Sequence, residues 1–150
     1  MEYKEKFPDM FDVTDKESWK SKNIRKEFLS QEWDMMVQEI APDIFEFPFL
    51  NVDFCDNFVS VLKESKWDQI NRWGTPVYSD NLKTFNLDEM MTHLVHEYVF
   101  GIVQKEWHLE GQKWKSLQPD NNIMKLVEGQ DIRMHHDYVH ISLYCQLDGN

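Results

Sequence analysis

The longest regular pattern of apolar residues lies between residues 87 and 103. Its apolar side chains recur every three or four positions, as they do on one face of an α-helix. They are Leu87, Met90, Met91, Leu94, Val95, Tyr98, Val99, Ile102 and Val103. Asn86 precedes this run and Glu89 follows three residues later, which is the spacing of a capping box. The pattern predicts a helix that begins after Asn86.

A second helix is predicted at about residues 53–66. Asp53 is a suitable N-cap, and four apolar residues follow at helical spacing. They are Phe54, Phe58, Val61 and Leu62. The intervening residues 67–85 contain Asn, Gly, Pro and Asp residues that are typical of a loop.

Residues 1–39 are highly charged and carry aromatic side chains at wide intervals. These are Phe7, Phe11, Trp19, Phe28 and Trp33. We expect them to pack this N-terminal arm onto a larger body. A helix is predicted to start after Thr14, with Asp15 and Glu17 placing negative charge in its first turn.

Strand-like patterns occur mainly late in the chain. Residues 44–50 predict one short early strand, which Pro48 restricts to a sheet edge or a strand end. Residues 122–127 and 132–136 are extended pieces on either side of a Gly129-Gln130 turn. Residues 139–147 alternate apolar and polar side chains, as in a strand with one buried face. The chain is therefore predicted to be α+β, with helices first and strands last.

Bulk composition narrows the function classes. The 150 residues are the usual size of one domain, and 41% are hydrophobic, which is enough for a packed core. The net charge of −11 argues against nucleic-acid binding and favours a cationic partner, such as a peptide rich in lysine or arginine. Alternatively, the charge only keeps the protein in solution. Cys55 and Cys145 allow one disulfide but no disulfide framework.

Targeting and membrane signals are weak in this sequence. No apolar run approaches the ~20 residues that span a bilayer, so no transmembrane segment is expected. The first residues lack an apolar signal-peptide region. On its own the chain would be expected to stay in the cytoplasm.

His135 and Asp137 are the strongest candidates for site chemistry. In an extended segment, a spacing of two places both side chains on one face, whereas His136 points away. A neutral imidazole and a carboxylate can hold two adjacent positions on an octahedral ion. A second histidine would complete the 2-His-1-carboxylate triad of non-haem iron(II) oxygenases. Alone, this pair also occurs at ordinary strand ends.

The residues around this pair resemble a known family. Residues 124–137 read as strand, Gly-Gln turn, strand and His-x-Asp, and the alternating residues 140–147 follow. Upstream, Pro42-Asp43-Ile44-Phe45-Glu46-Phe47-Pro48 and Phe54-Cys55-Asp56 occur in the same order as pieces of the procollagen lysyl hydroxylases, as do residues 7–11 and Trp19-Lys20. The chain thus resembles the catalytic region of these iron(II)- and 2-oxoglutarate-dependent dioxygenases over most of its length.

The resemblance implies a fold and a chemistry. Residues 1–39 would be an N-terminal arm, and residues 40–150 would begin a dioxygenase domain with the first strands of a double-stranded β-helix, or jelly roll. Fe(2+) would be bound by His135 and Asp137, with 2-oxoglutarate as co-substrate and L-ascorbate as a further cofactor. The substrate would be lysine in a collagen-like peptide. The resemblance also implies that the full-length enzyme would form a homodimer and would be located in the endoplasmic reticulum.

The sequence departs from the family at three points. Leu126 stands where the family usually has a tyrosine that touches the co-substrate. No residue corresponds to the second metal histidine or to the basic residue that pairs with 2-oxoglutarate. We therefore expect this chain to be a fragment, a truncated product or an alternatively spliced form of a longer enzyme, or a pseudoenzyme, with no activity of its own.

Three alternatives stay open. Gly129-Gln130, the His-x-Asp pair and Tyr138 are also similar to prolyl 4-hydroxylases. A non-catalytic binding module could retain part of the same fold. Finally, the match could be fortuitous, in an α+β domain that binds no metal.

Overall fold

The computed structural model describes residues 2–72, 75–109, 121–125 and 142–147. The described α-helices are α1 (Glu2–Lys6), α2 (Pro8–Phe11), α3 (Lys16–Asn23), α4 (Lys26–Leu29), α5 (Trp33–Met36), α6 (Val52–Glu64), α7 (Asp88–Leu94) and α8 (Phe100–Glu106). A 3-10 helix spans Leu82–Phe85, and a π-helix spans Val95–Val99.

The strands of the described residues form two small antiparallel sheets. The first is a hairpin of β1 (Gln38–Ala41) and β2 (Ile44–Glu46). The second has the order β3 (Asp68–Arg72), β4 (Thr75–Asn81) and β5 (Asn122–Lys125). This mixture of helices and antiparallel strands confirms the α+β class. The predicted order of helices first and strands last is wrong, because β1 to β4 precede α7 and α8. The double-stranded β-helix stays a prediction.

One core joins the N-terminal arm to the later helices. Trp19 of α3 packs against Phe54 of α6 with ring centroids 5.6 Å apart, and its Nε1 donates a 2.7 Å hydrogen bond to the carbonyl oxygen of Met10. Phe28 is fully buried, and Phe58 of α6 meets Phe85 edge to face. The prediction that the aromatics of residues 1–39 dock onto a larger body is therefore confirmed for Phe11, Trp19 and Phe28, all of them buried.

The predicted caps of the arm helix and of α6 need correction. Asp15 is the N-cap of α3 rather than a first-turn residue, because its side chain accepts a hydrogen bond from the Ser18 amide. Helix α6 was predicted to be capped by Asp53, but its N-cap is Asn51, whose Oδ1 accepts a 2.7 Å hydrogen bond from the Phe54 amide. Both residue types can cap a helix. The extended backbone of Asn51 decides the position.

The predicted loop at residues 67–85 is wrong. Within it, Asp68–Arg72 and Thr75–Asn81 pair as the β3–β4 hairpin, and the 3-10 helix at Leu82–Phe85 follows. Asn71 lies within β3, and Pro76 and Asn81 lie within β4, so strand pairing overrides the turn preference of these residues. Pairing with β5 then places β4 in the middle of the sheet.

The helix predicted from residues 87–103 is confirmed, but its start and its interior differ. Asn86 does not cap it: its backbone is left-handed, with φ 62°, and it ends the preceding 3-10 helix. The helix begins at Asp88, with Leu87 at the N-cap position and no side-chain cap. Between α7 and α8 the chain widens into the π-helix at Val95–Val99. The periodicity of apolar residues did not reveal this change.

Two strand predictions are only partly met. The strand at residues 44–50 is shorter, because β2 ends at Glu46 and Leu50 makes only an isolated bridge to Ile24.

The strand at residues 139–147 is not seen in its described part. Residues 142–147 are assigned no strand, and Leu143 is 48% exposed although the alternation placed it on a buried face. Alternation specifies two faces, but strand formation also needs an adjacent strand at the right register.

The described helices are all short or polar by membrane standards. None is long and apolar enough to cross a bilayer.

Candidate metal centre

Strand β5 is the described element that leads toward the predicted site. It pairs antiparallel with β4, from Tyr78 opposite Lys125 to Asn81 opposite Asn122. The side chains of Asn81 and Asn122 are hydrogen-bonded at 3.3 Å. Among the described residues, β5 extends to Lys125.

Asn121 fastens the start of β5 to helix α7. Its Nδ2 lies 2.9 Å from Asp88 Oδ1 and 3.2 Å from Thr92 Oγ1, and its carbonyl oxygen accepts a 3.0 Å hydrogen bond from the Leu82 amide. One residue thereby joins the helix, the 3-10 helix and the sheet. Nothing in the apolar pattern singled it out, because its partners Asp88 and Thr92 lie far away in sequence.

The predicted iron ligands lie outside the described residues. This holds for His135, His136 and Asp137, for the Gly129-Gln130 turn, and for Leu126 and Tyr138. The pairing of His135 with Asp137 on one face of a strand accordingly stays a prediction.

The described histidines do not form a metal centre. His93 is half-buried on α7, and its Nε2 lies 3.0 Å from Glu97 Oε2. His96 and His108 are exposed, and His108 occupies a turn with φ 53°. Within the described ranges, no group of three or more His, Cys, Asp or Glu side chains could hold a metal ion.

A buried lysine forms the densest charged cluster of the described residues. Lys20 Nζ lies 2.7 Å from Glu17, 3.0 Å from Glu97 and 3.2 Å from the hydroxyl of Tyr98. Burial lowers the pKa of Lys20, but the hydrogen bonds to Glu17, Glu97 and Tyr98 outweigh it and raise the pKa above its ordinary value. The ammonium group therefore stays charged and ties α3 to the π-helix.

This cluster could not be foreseen from the sequence. Lysine is rarely buried, and nothing in the sequence pattern singled out Lys20 as a core residue. With Glu97 engaged by both Lys20 and His93, these side chains are explained by the packing of α3 against the long helix. They are poor candidates for a third iron ligand.

Both cysteines are free thiols. Burial, followed by the charge of Asp56, raises the pKa of the half-buried Cys55, while Arg25 lowers it in part. The residue Cys145 is exposed, yet the protein around its sulfur raises the thiol pKa to about 11, and Cys55 contributes a further repulsion. Since the thiolate is the reactive form, both groups are weak nucleophiles at neutral pH.

No protein-family model and no curated protein sequence matches this chain.

Proposed function

We propose that this chain is an iron(II)- and 2-oxoglutarate-dependent dioxygenase of the lysyl hydroxylase type, of which it supplies two metal ligands. The proposal rests on the order of several sequence pieces along the chain. His135 and Asp137 follow a strand, Gly-Gln turn, strand pattern, and the upstream pieces of the family occur in the same order. A lone His-x-Asp pair would be a much weaker argument.

The described part of the fold is compatible with this proposal. Three antiparallel strands precede the predicted ligands, and β5 ends a short distance before His135. In a jelly roll, metal ligands of this class project from such strands into the barrel. A rigid sheet, fastened to α7 by Asn121, would hold the ligand strand in a fixed orientation.

The residues have distinct roles in the proposed centre. His135 would bind through a neutral ring nitrogen and Asp137 through a carboxylate oxygen, in adjacent positions of an octahedron. Bound Fe(2+) would supply oxygen activation coupled to the decarboxylation of 2-oxoglutarate. The acidic chain would favour a cationic lysine peptide over an acidic one.

Metal binding by the purified chain tests the ligand assignment directly. Mn²⁺, a redox-stable substitute for Fe²⁺, would be titrated and its binding followed by electron paramagnetic resonance. We expect binding to be weakened at least about tenfold by His135→Ala and by Asp137→Ala. His136→Ala is the matched control, since its side chain would face away from the metal, and it should bind Mn²⁺ like the parent chain. Equal loss in all three variants would contradict the assignment.

Substrate assays separate the enzyme classes. Collagen-like peptides that differ only in lysine or proline content would be incubated with Fe²⁺, 2-oxoglutarate and L-ascorbate, and hydroxylation measured by mass spectrometry. Hydroxylation of lysine would support the lysyl hydroxylase type, and hydroxylation of proline alone would support the prolyl 4-hydroxylase alternative. Either result with the 150-residue chain would also overturn the separate expectation that this chain is inactive by itself. A partner whose affinity survives both ligand substitutions would instead favour a binding module.

A further inference from the structure

The charge of this protein is distributed unevenly along the chain. From Glu27 to Leu62 there is no Lys, Arg or His, while carboxylates recur throughout. They are Glu27, Glu32, Asp34, Glu39, Asp43, Glu46, Asp53 and Asp56. All of them are exposed. Since no basic side chain offsets these eight carboxylates, the segment accounts for most of the net charge of −11.

The β1–β2 hairpin lies at the centre of that segment. Every residue of β1 is exposed, and among the described residues the hairpin is a sheet of its own, with no third strand. Phe45 of β2 packs on Trp107 with ring centroids 4.6 Å apart. This contact anchors β2 to the residue that follows α8, so β1 is the better candidate for an accessible edge.

The exposed side chains of the hairpin combine apolar and acidic groups. Ile40 is 60% exposed and Ile44 is 54% exposed, while Met35 of the adjacent α5 is 76% exposed. Glu39 and Glu46 flank the two isoleucines. Exposed β-branched residues on a short, separate hairpin are unusual, because strand edges invite pairing by other chains.

We propose that the outer edge of β1 is a docking site for an extended, lysine- or arginine-rich segment of a partner protein, which would add a strand to the hairpin. Main-chain hydrogen bonds to β1 would supply affinity, and the isoleucines would contact the apolar side chains of the added strand. The carboxylates would select a cationic sequence and speed its approach.

A second copy of this chain is a poor occupant for the same edge. Its own hairpin carries the same carboxylates, and each molecule has a net charge of −11. Like charges on directly opposite strands are destabilising. The β-bulge between Glu39 and Ala41 also limits how far two identical edges could pair. The proposal is independent of the dioxygenase function, because no residue of the iron centre takes part.

The probe for the test is a synthetic peptide of about ten residues in which lysine alternates with threonine. Two matched variants of the full chain would be compared by fluorescence anisotropy. Ile40→Gln/Glu46→Gln changes the hairpin, whereas Val52→Gln/Asp56→Asn makes the same kinds of change on α6. Val52 is 58% exposed, so the two apolar replacements are similar in exposure. Circular dichroism would check that both variants are folded.

We expect the hairpin variant to weaken binding about tenfold and the α6 variant to change it less than about twofold. Peptides with glutamate for lysine, or with proline for alternate threonines, should not bind, since they lose the charge or the backbone donors. Amide exchange should slow at Gln38–Ala41 when the lysine peptide binds. The proposal is overturned if the lysine peptide does not bind detectably, or if both variants lose the same affinity for it. It is also overturned if the proline peptide binds, or if amide exchange at β1 stays unchanged. Dimerisation of the chain through this hairpin would overturn it as well.

Discussion

Asn51 and Asp53 offer a sharp test of how helix α6 begins. Asn51 Oδ1 accepts the hydrogen bond of the Phe54 amide at 2.7 Å, and Asn51 Nδ2 donates to the carbonyl oxygen of Lys22. Losing the cap costs about 1 kcal/mol, and losing the second hydrogen bond about 1 kcal/mol more. Asn51→Ala should therefore lower the free energy of unfolding by about 2 kcal/mol. For a protein of this length, Tm would fall by about 4–8 °C.

Two further variants separate the contributions. Asn51→Ser keeps a cap acceptor but loses the donor to Lys22, so it should cost about 1 kcal/mol. Asp53→Ala removes only a negative charge in the first turn, which is worth about 0.3–0.5 kcal/mol at an exposed position. Chemical denaturation followed by circular dichroism measures all of these differences. If Asp53→Ala destabilised the protein as much as Asn51→Ala, the assignment of the cap to Asn51 would be refuted.

Three other predictions concern packing and ionisation. Lys20→Met should lower stability by about 1–3 kcal/mol at pH 7, because two carboxylates lose their partner. The raised pKa of Lys20 stabilises the fold below its ordinary value of 10.5, and this contribution is lost as pH rises through the folded value. The gap between wild type and variant in urea denaturation should thus narrow at strongly alkaline pH, and a widening gap would contradict the cluster. An ideal Cβ on Gly101 would lie 3.0 Å from the Trp33 ring. Gly101→Ala should therefore lower the stability of the wild type by about 1 kcal/mol, because the added methyl group meets this ring. In a Trp33→Ala background the same change should raise stability by about 1 kcal/mol, because alanine has the higher helix propensity. Thermal denaturation measures both effects, and the same sign in both backgrounds would exclude the clash. Iodoacetamide alkylation of Cys145, read by mass spectrometry, should rise with a midpoint near pH 11, and Cys55→Ser should lower that midpoint. A midpoint at the ordinary value of 9.0 would show that the protein does not shield this thiol.

The two longest helices were predictable because each has a continuous apolar face. The side chains that define these faces in the sequence include Phe54, Phe58, Met90 and Leu94, and all four are buried. Burial of such a face dominates the local free energy, so periodicity suffices to find it.

Helix starts were less predictable, because several polar residues near each start are chemically able to cap. Asn51 and Asp53 are both suitable, and the contact of Asn51 with Lys22, which lies far away in sequence, helps to decide between them. At Asn86, the left-handed backbone that ends the 3-10 helix excludes the extended conformation of an N-cap.

Asn122–Lys125 forms β5 within the strand predicted at residues 122–127, but other strand predictions failed for a different reason. Strands β3 and β4 carry Asn, Asp and Pro, whose intrinsic preference is for turns, but pairing with each other and with β5 overrides it. Conversely, residues 142–147 alternate well and are assigned no strand. The side-chain directions of the candidate ligands His135 and Asp137 are equally hard to predict from local sequence, because they depend on which strands these residues join.

The π-helix between α7 and α8 has a consequence for comparing this chain with others. A π-helical turn is equivalent to one extra residue inserted into an α-helix. Leu94 before it and Ile102 after it are both buried, so the widened turn keeps both halves of the helix facing the core. Deleting one residue of Val95–Val99 would convert the π-helical turn into an ordinary α-helical turn and leave Ile102 on the core face. A related protein with an unbroken α-helix here would therefore align with this chain only across a one-residue gap.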